Sequence, residues 1–135
     1  MSEKYTQGLN PEQARAVVTT EGPLLIQAGA GSGKTKTLTH RIAYLIDSHK
    51  ASPFNILAVT FTNKAANEMR QRLAGLLGHD ANDRNFLPFM GTFHSICVRI
   101  LRRDSHYMGI PANFVIFDES DRLAAIKQIC RSNKI

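Results

Sequence analysis

The eight residues from 28 to 35 read AGAGSGKT, and this stretch decides the fold of the chain. An apolar run, LLI at residues 24–26, comes just before it. Apolar residues at helical spacing follow it: Leu38, Ile42, Leu45 and Ile46. Glycines lack a Cβ, so the backbone can fold tightly and turn its N–H groups toward an anion, and a helix N-terminus adds partial positive charge there. The order of strand, glycine-rich loop and helix therefore predicts a phosphate-binding P-loop.

The same stretch predicts the residues that hold a nucleotide and its metal ion. The Lys34 ammonium can reach the β- and γ-phosphates, and the Thr35 hydroxyl can bind Mg²⁺, so both are predicted catalytic residues. The remaining predicted ATP contacts of the loop are Ala28, Gly29, Ala30, Gly31, Ser32 and Gly33. Ala28 stands where the general pattern has glycine. The motif therefore predicts a nucleotide and Mg²⁺ as cofactors, and the resemblance described below implies that the nucleotide is ATP.

Composition is typical of a globular protein with one modest core. The chain has 135 residues, 43% of them hydrophobic and 21% charged, which argues against a disordered chain. No apolar run approaches the roughly 20 residues that span a bilayer, and the N-terminus has no apolar signal-peptide core. We therefore expect a cytoplasmic protein without a membrane segment. The net charge of +6 favours a polyanionic partner.

Apolar runs alternate with helical patterns along the rest of the chain. We expect residues 1–9 to form a frayed tail, and a helix to begin at Pro11 with Asn10 as its cap. Three further strands are predicted within residues 56–61, 89–92 and 114–117. Strands that alternate with helices predict an α/β fold with a mostly parallel sheet.

The helix after the second predicted strand has clear boundaries in the sequence. Thr62 or Asn63 can cap its start, and Gly78 is a natural stop. Its predicted apolar face consists of Ala66, Met69, Leu73, Leu76 and Leu77. Thr60 and Phe61 come just before this helix, at the predicted end of the strand.

Gln13 has two interpretations. It lies three residues after Asn10, so its side chain can bond back to the Asn10 N–H in a capping box. Alternatively, its amide reads a nucleotide base. The local sequence by itself favours the capping box.

Four stretches stand in a recognisable order: LNPEQARAV from residue 9, AGAGSGKT from residue 28, LAVTFTNKAANEMRQRL from residue 57 and GTFHSICVRILRRD from residue 91. Together they resemble the Rep/UvrD/PcrA group of superfamily-one DNA helicases. A P-loop is shared by many NTPases, whereas the combination with TFTNKAA and TFHS is highly specific. The resemblance implies a RecA-like P-loop NTPase fold, three-layered α/β/α with a mostly parallel sheet, incomplete in this chain.

The resemblance also implies roles for individual residues. Gln13 would contact adenine, which reverses the local preference, and Lys36 would lie near the nucleotide where relatives usually have arginine. Phe61 would stack on a base of single-stranded DNA, a contact that tolerates any sequence. The implied DNA contacts are Phe61, Thr62, Asn63, Lys64, Thr92 and His94.

An acidic stretch near the C-terminal end of the sequence resembles a catalytic metal site. Residues 113–120 read NFVIFDES, which looks like a strand ending in a magnesium-binding aspartate. In the family the acidic box comes later and continues differently, so this stretch corresponds to a structural element. We expect Asp118, with Asp121 three residues on, to start a helix, since acidic side chains are favourable at the positive end of the dipole.

The resemblance then predicts the organisation of the protein. Residues 1–135 would be the N-terminal part of the first motor domain of a longer helicase. The inserted helical domain, the Walker B segment and the second motor domain would be absent from this chain. The parent would couple ATP hydrolysis to translocation on single-stranded DNA, 3′ to 5′, and to unwinding of partly duplex DNA. Its partners would be DNA and the remaining helicase domains, and the chain by itself would bind ATP without hydrolysing it.

Two other functions fit part of the sequence. A small P-loop nucleotide phosphotransferase agrees with the size and the P-loop, but it leaves TFTNKAANEM unexplained. A non-catalytic, nucleotide-dependent DNA-binding module is close to the behaviour expected of the chain in isolation.

Overall fold

The computed structural model describes residues 2–83 and 85–133. Contacts divide the chain into two compact units, Met1–Ile96 and Cys97–Ile135, and each is described by itself. The helices are α1 (Ser2–Thr6), α2 (Pro11–Val18), α3 (Lys34–Asp47), α4 (Asn63–Leu77), α5 (Phe93–Asp104) and α6 (Glu119–Ser132). The strands are β1 (Ala58–Thr60) and β2 (Met90–Thr92). No helix in the described part of the chain has the length and apolar content needed to cross a membrane.

The two strands form a parallel sheet in which Thr60 lies opposite Thr92. Helix α4 connects them and packs on both, as expected of a β-α-β unit. This small parallel sheet is compatible with the predicted α/β class. Both strands are shorter than the apolar runs that predicted them.

Two of the four predicted strands are wrong. Residues 24–26 and 114–117 have no strand structure, and Leu25 is 81% exposed while Val115 is 75% exposed. An apolar, β-rich run carries only a preference, and a strand also needs a neighbouring backbone to pair with. Within residues 2–83 and 85–133, β1 and β2 have each other as neighbours and these two segments have none.

The prediction of a frayed tail at residues 1–9 is also wrong. Residues 2–6 form helix α1, and Tyr5 is fully buried. Its ring meets Tyr44 of α3 edge-on at 6.4 Å, and its carbonyl oxygen lies 2.8 Å from Nδ1 of His40. The tail is ordered because one aromatic side chain buries a large apolar area against α3.

The core of the first unit lies where α1, α2, α3 and α4 pack together and against the strands. Arg70 of α4 supports the loop that leads into β2, since its guanidinium donates to the carbonyl oxygens of Phe86, Leu87 and Met90. The largest fully buried side chains include Tyr5, Leu73, Leu87 and Val17.

Helix α4 has the predicted boundaries. The Thr62 hydroxyl accepts a hydrogen bond from the Ala65 N–H at 3.1 Å, which caps the first turn. Gly78 ends the helix with a φ of 72°, in the left-handed region that favours glycine. Buried side chains on its inner face include Ala66, Met69 and Leu73.

In the second unit, α6 begins with a capping box. Asp118 Oδ1 accepts from the Asp121 N–H at 2.8 Å, and Asp121 Oδ2 accepts from the Asp118 N–H at 3.2 Å. The Asp121 N–H first, and the Ser120 hydroxyl next, hold the pKa of the Asp118 carboxyl below its usual range. The predicted helix start is therefore confirmed, which agrees with the structural interpretation of this acidic stretch.

Candidate functional site

The glycine-rich loop runs straight into the N-terminus of α3. Gly33 is the N-cap of this helix with a φ of 83°, and Gly31 has a φ of 74°. Side chains with a Cβ rarely adopt such angles, so both positions need glycine. Residues 29–32 form a turn in which the Ser32 N–H and hydroxyl both donate to the Gly29 carbonyl. The loop thus lies at the positive end of a 14-residue helix.

The Lys34 side chain contacts the loop that precedes it in sequence. Its Nζ donates to the carbonyl oxygens of Ala28 at 2.8 Å and Gly29 at 2.7 Å. The ammonium of this exposed side chain is therefore held against the loop backbone. A positive charge fixed beside a turn of glycines is a suitable partner for a phosphate group.

Gln13 connects α2 to the loop. Its Oε1 accepts from the Asn10 N–H at 3.0 Å and its backbone N–H donates to Asn10 Oδ1 at 2.8 Å, so the capping box is confirmed. Its Nε2 also donates to the Ser32 carbonyl at 2.9 Å, a link that the sequence did not predict. The amide passes so close to Gly33 that a Cβ there would lie 2.8 Å from Nε2. The adenine contact of Gln13 stays a prediction.

A pocket of about 250 Å³ opens between α2 and the loop. Four predicted ATP contacts line it: Gln13, Ala28, Ser32 and Lys34. Asn10, Glu12, Ala16, Ile26, Gln27 and Thr37 complete the lining. Lys36 is not part of it, because its Nζ donates to the Gly8 carbonyl at 2.7 Å. The nucleotide contact of Lys36 and the magnesium contact of Thr35 stay predictions.

The predicted DNA contacts follow the two strands. Because β1 and β2 are parallel with Thr60 opposite Thr92, the motifs TFTN and TFHS begin at the same edge of the sheet. Phe61 is 92% exposed, and its ring centroid lies 5.6 Å from that of Phe93. Phe93 is not among the predicted DNA contacts. Its signal in the sequence was the Thr-Phe pair repeated at the end of both strands.

The other predicted DNA contacts differ in their exposure. Thr62, Asn63 and Lys64 are exposed at the N-terminus of α4, and His94 is exposed in the first turn of α5. Thr92 is buried, and its hydroxyl accepts from the Ser95 N–H at 3.2 Å. The buried hydroxyl therefore caps the start of α5, and its contact with DNA stays a prediction.

Comparison with known proteins gives the family of the chain. The UvrD/REP helicase N-terminal domain family matches residues 9–135. A Staphylococcus epidermidis protein named ATP-dependent DNA helicase PcrA is 57% identical over 129 residues, which are 96% of this chain and 17% of the relative. A Staphylococcus aureus protein of the same name is 56% identical over 127 residues, which are 94% of this chain and 17% of the relative.

The chain thus spans 17% of the length of these two curated relatives. The family match begins at the residue before the α2 capping box, includes the glycine-rich loop and both Thr-Phe motifs, and extends through α6. This match confirms the resemblance that the four sequence stretches indicated, and the chain belongs to the UvrD/REP helicase N-terminal domain family.

Proposed function

We propose that this chain is the N-terminal ATP-binding portion of an ATP-dependent DNA helicase and single-stranded-DNA translocase. The observation that carries the proposal is the shared pocket, in which Gln13, the glycine-rich loop and Lys34 come together at the N-terminus of α3. The names of the relatives, ATP-dependent DNA helicase PcrA, support ATP and DNA as the ligands.

The loop fits the phosphates of a nucleotide. Gly31 and Gly33 adopt left-handed angles without a Cβ, and Lys34 holds its charge against the loop. Phosphate oxygens would accept from the loop N–H groups and from Lys34, while Gln13 reads adenine and Lys36 adds charge nearby. The Thr35 hydroxyl would hold Mg²⁺, which neutralises part of the phosphate charge when bound.

The Thr-Phe edge of the sheet fits a single strand of DNA. The exposed Phe61 ring offers a face on which a base can stack. Thr62, Asn63 and Lys64 begin a 15-residue helix, whose N-terminal N–H groups suit a backbone phosphate. Thr92 and His94, at the end of β2 and the start of α5, would contact the same strand.

Other domains of a longer parent would complete the motor. The chain spans 17% of its relatives, and phosphoryl transfer needs further groups that orient water and stabilise charge. In the parent, cytoplasmic and acting on single-stranded and partly duplex DNA, ATP binding and hydrolysis would drive movement 3′ to 5′. The 135-residue chain would bind ATP and leave it intact.

Binding of a fluorescent ATP analogue to the wild-type chain and two variants tests the nucleotide site. Lys34→Ala removes a charged partner of the phosphates and should weaken binding about 10- to 100-fold. Lys127→Ala removes an equal charge from the exposed surface of α6 and should leave binding unchanged. Equal binding by all three proteins would reject the P-loop assignment. Phosphate release stimulated by single-stranded DNA would reject the proposal that the chain lacks turnover.

A further inference from the structure

The sheet register brings two phenylalanines together. Thr60 and Thr92 are opposite each other, so the next residue of each strand, Phe61 and Phe93, leaves the sheet at the same edge. Their ring centroids are 5.6 Å apart and their planes are inclined by 41°. Aromatic rings attract each other at centroid distances of about 4.5–7 Å, so the two side chains form a contact pair.

The spacing of this pair decides whether a base can be inserted between the two rings or can stack only on an outer face. Stacked layers in nucleic acids lie about 3.4 Å apart, so a base between two rings needs about 6.8 Å and parallel planes. The observed 5.6 Å and 41° leave no room for a base between Phe61 and Phe93. Phe61 is 92% exposed and Phe93 is 48% exposed. Phe61 is therefore the outer ring, and Phe93 lies against it as a support.

The backbone beneath Phe93 is held by local hydrogen bonds. The Thr92 hydroxyl accepts from the Ser95 N–H at 3.2 Å, and the Ser95 hydroxyl donates to the Thr92 carbonyl at 2.9 Å. Phe93 lies between these two residues at the first position of α5. Because its backbone is fixed in this way, the Phe93 ring limits the conformations that the Phe61 side chain can adopt.

We propose that Phe93 is a positioning residue for base stacking, and that it holds the Phe61 ring so that its open face receives an unpaired base. The proposal rests on the proposed function, because it assumes that Phe61 binds single-stranded nucleic acid. A nearly fully exposed side chain loses rotamer freedom when a ligand stacks on it, and this loss weakens binding. Contact with Phe93 removes part of that freedom before the ligand arrives.

A double-mutant cycle tests this role through the affinity for fluorescent oligothymidylate at low salt. Phe61→Leu should weaken binding about 5- to 100-fold, because base–aromatic stacking is lost. Phe93→Leu should weaken it about 2- to 10-fold, because an aromatic pair is lost. In the Phe61→Leu background, Phe93→Leu should add no further loss, since it acts through Phe61. Phe54→Leu removes another exposed ring of the same unit and should leave the affinity for oligothymidylate unchanged.

Two further measurements separate positioning from a structural role. An abasic oligonucleotide keeps the phosphates, so wild type and Phe93→Leu should bind it equally, and Phe93→Tyr should restore affinity for oligothymidylate. Circular dichroism and ATP binding of each variant should match the wild type. Additive losses in the cycle, or an equal loss on the abasic strand, would overturn the role of Phe93 while leaving Phe61 as a contact. Lack of any effect of Phe61→Leu would overturn both this inference and the proposed DNA site.

Discussion

Replacing Gln13 by glutamate separates two hydrogen bonds that the wild-type side chain makes together. Glutamate keeps an oxygen that accepts from the Asn10 N–H, so the capping box survives. It has no donor for the Ser32 carbonyl, so the link between α2 and the glycine-rich loop is lost. Gln13→Ala removes both bonds. Comparison of the two variants therefore isolates the link to the loop.

The magnitudes predict an order of stability. A hydrogen bond of this kind contributes about 0.5–1.5 kcal/mol net, so Gln13→Ala should lower the free energy of unfolding by about 1–3 kcal/mol. Gln13→Glu loses one bond and places a carboxylate beside the Ser32 carbonyl. It regains about 0.3–1 kcal/mol because a negative charge is favourable in the first turn of a helix. The lost hydrogen bond slightly outweighs this gain, so the free energy of unfolding of Gln13→Glu should lie between the values of the wild type and Gln13→Ala.

Urea unfolding gives these free energies, and amide hydrogen exchange at residues 28–35 reports on the loop. Both variants should speed exchange in the loop, whereas only Gln13→Ala should speed it at the start of α2. Gln71→Glu makes the same charge change on the exposed surface of α4 and serves as the control. A Gln13→Glu protein with wild-type stability and loop exchange would refute the link to Ser32. Equal stability of Gln13→Glu and Gln13→Ala would refute the contribution of the capping box.

Three other predictions concern the β2 edge and α6. A Cβ at Gly91 would lie 2.6 Å from the Ser95 Oγ, so Gly91→Ala should turn this hydroxyl away from the Thr92 carbonyl and lower the free energy of unfolding in urea by about 0.5–1.5 kcal/mol. The double variant Gly91→Ala/Ser95→Ala should cost less than the sum of its two single variants, because the colliding oxygen is gone. In Arg70→Lys, a single ammonium replaces the guanidinium that donates to three carbonyl oxygens, so this variant should have a lower melting temperature. An unchanged melting temperature would contradict the proposed support of the loop by Arg70. The pKa of the Asp118 carboxyl is lowered on folding, so the ionised carboxylate stabilises α6. This stabilisation is complete above the ordinary carboxyl pKa of about 4, and it is lost as the pH falls through the lower pKa of the folded state. Asp118→Asn keeps an acceptor without this titration, so the acid-induced loss of helical circular dichroism should be smaller in this variant.

Features made by residues close in sequence could be predicted from the sequence. The capping boxes at Asn10–Gln13 and Asp118–Asp121, the cap at Thr62 and the stop at Gly78 each involve groups within four residues. The glycine turn at Gly31 and Gly33 and the start of α3 belong to the same class, because they are adjacent in sequence, while the binding of phosphate by this loop stays a prediction. Local backbone chemistry fixes such features before any tertiary contact forms.

Features that depend on distant residues could not be predicted in this way. Residues 24–26 and 114–117 have the composition of strands, yet pairing is a property of two segments and composition describes one. Gln13 reaches a carbonyl 19 residues away, which no local pattern encodes. The contact between Phe61 and Phe93 follows from the strand register, so the repeated Thr-Phe motif became informative only when β1 and β2 were known to be neighbours.

The buried Tyr5 affects where this domain should be cut for expression. The family match begins at residue 9, so a gene trimmed to that match would discard a side chain with no exposed surface. Loss of a large buried aromatic costs about 3–5 kcal/mol, a large share of the stability of a small domain. The discarded peptide would also uncover Tyr44 and free the imidazole of His40. Recombinant versions should therefore keep the residues before position 9 and carry any purification tag upstream of them.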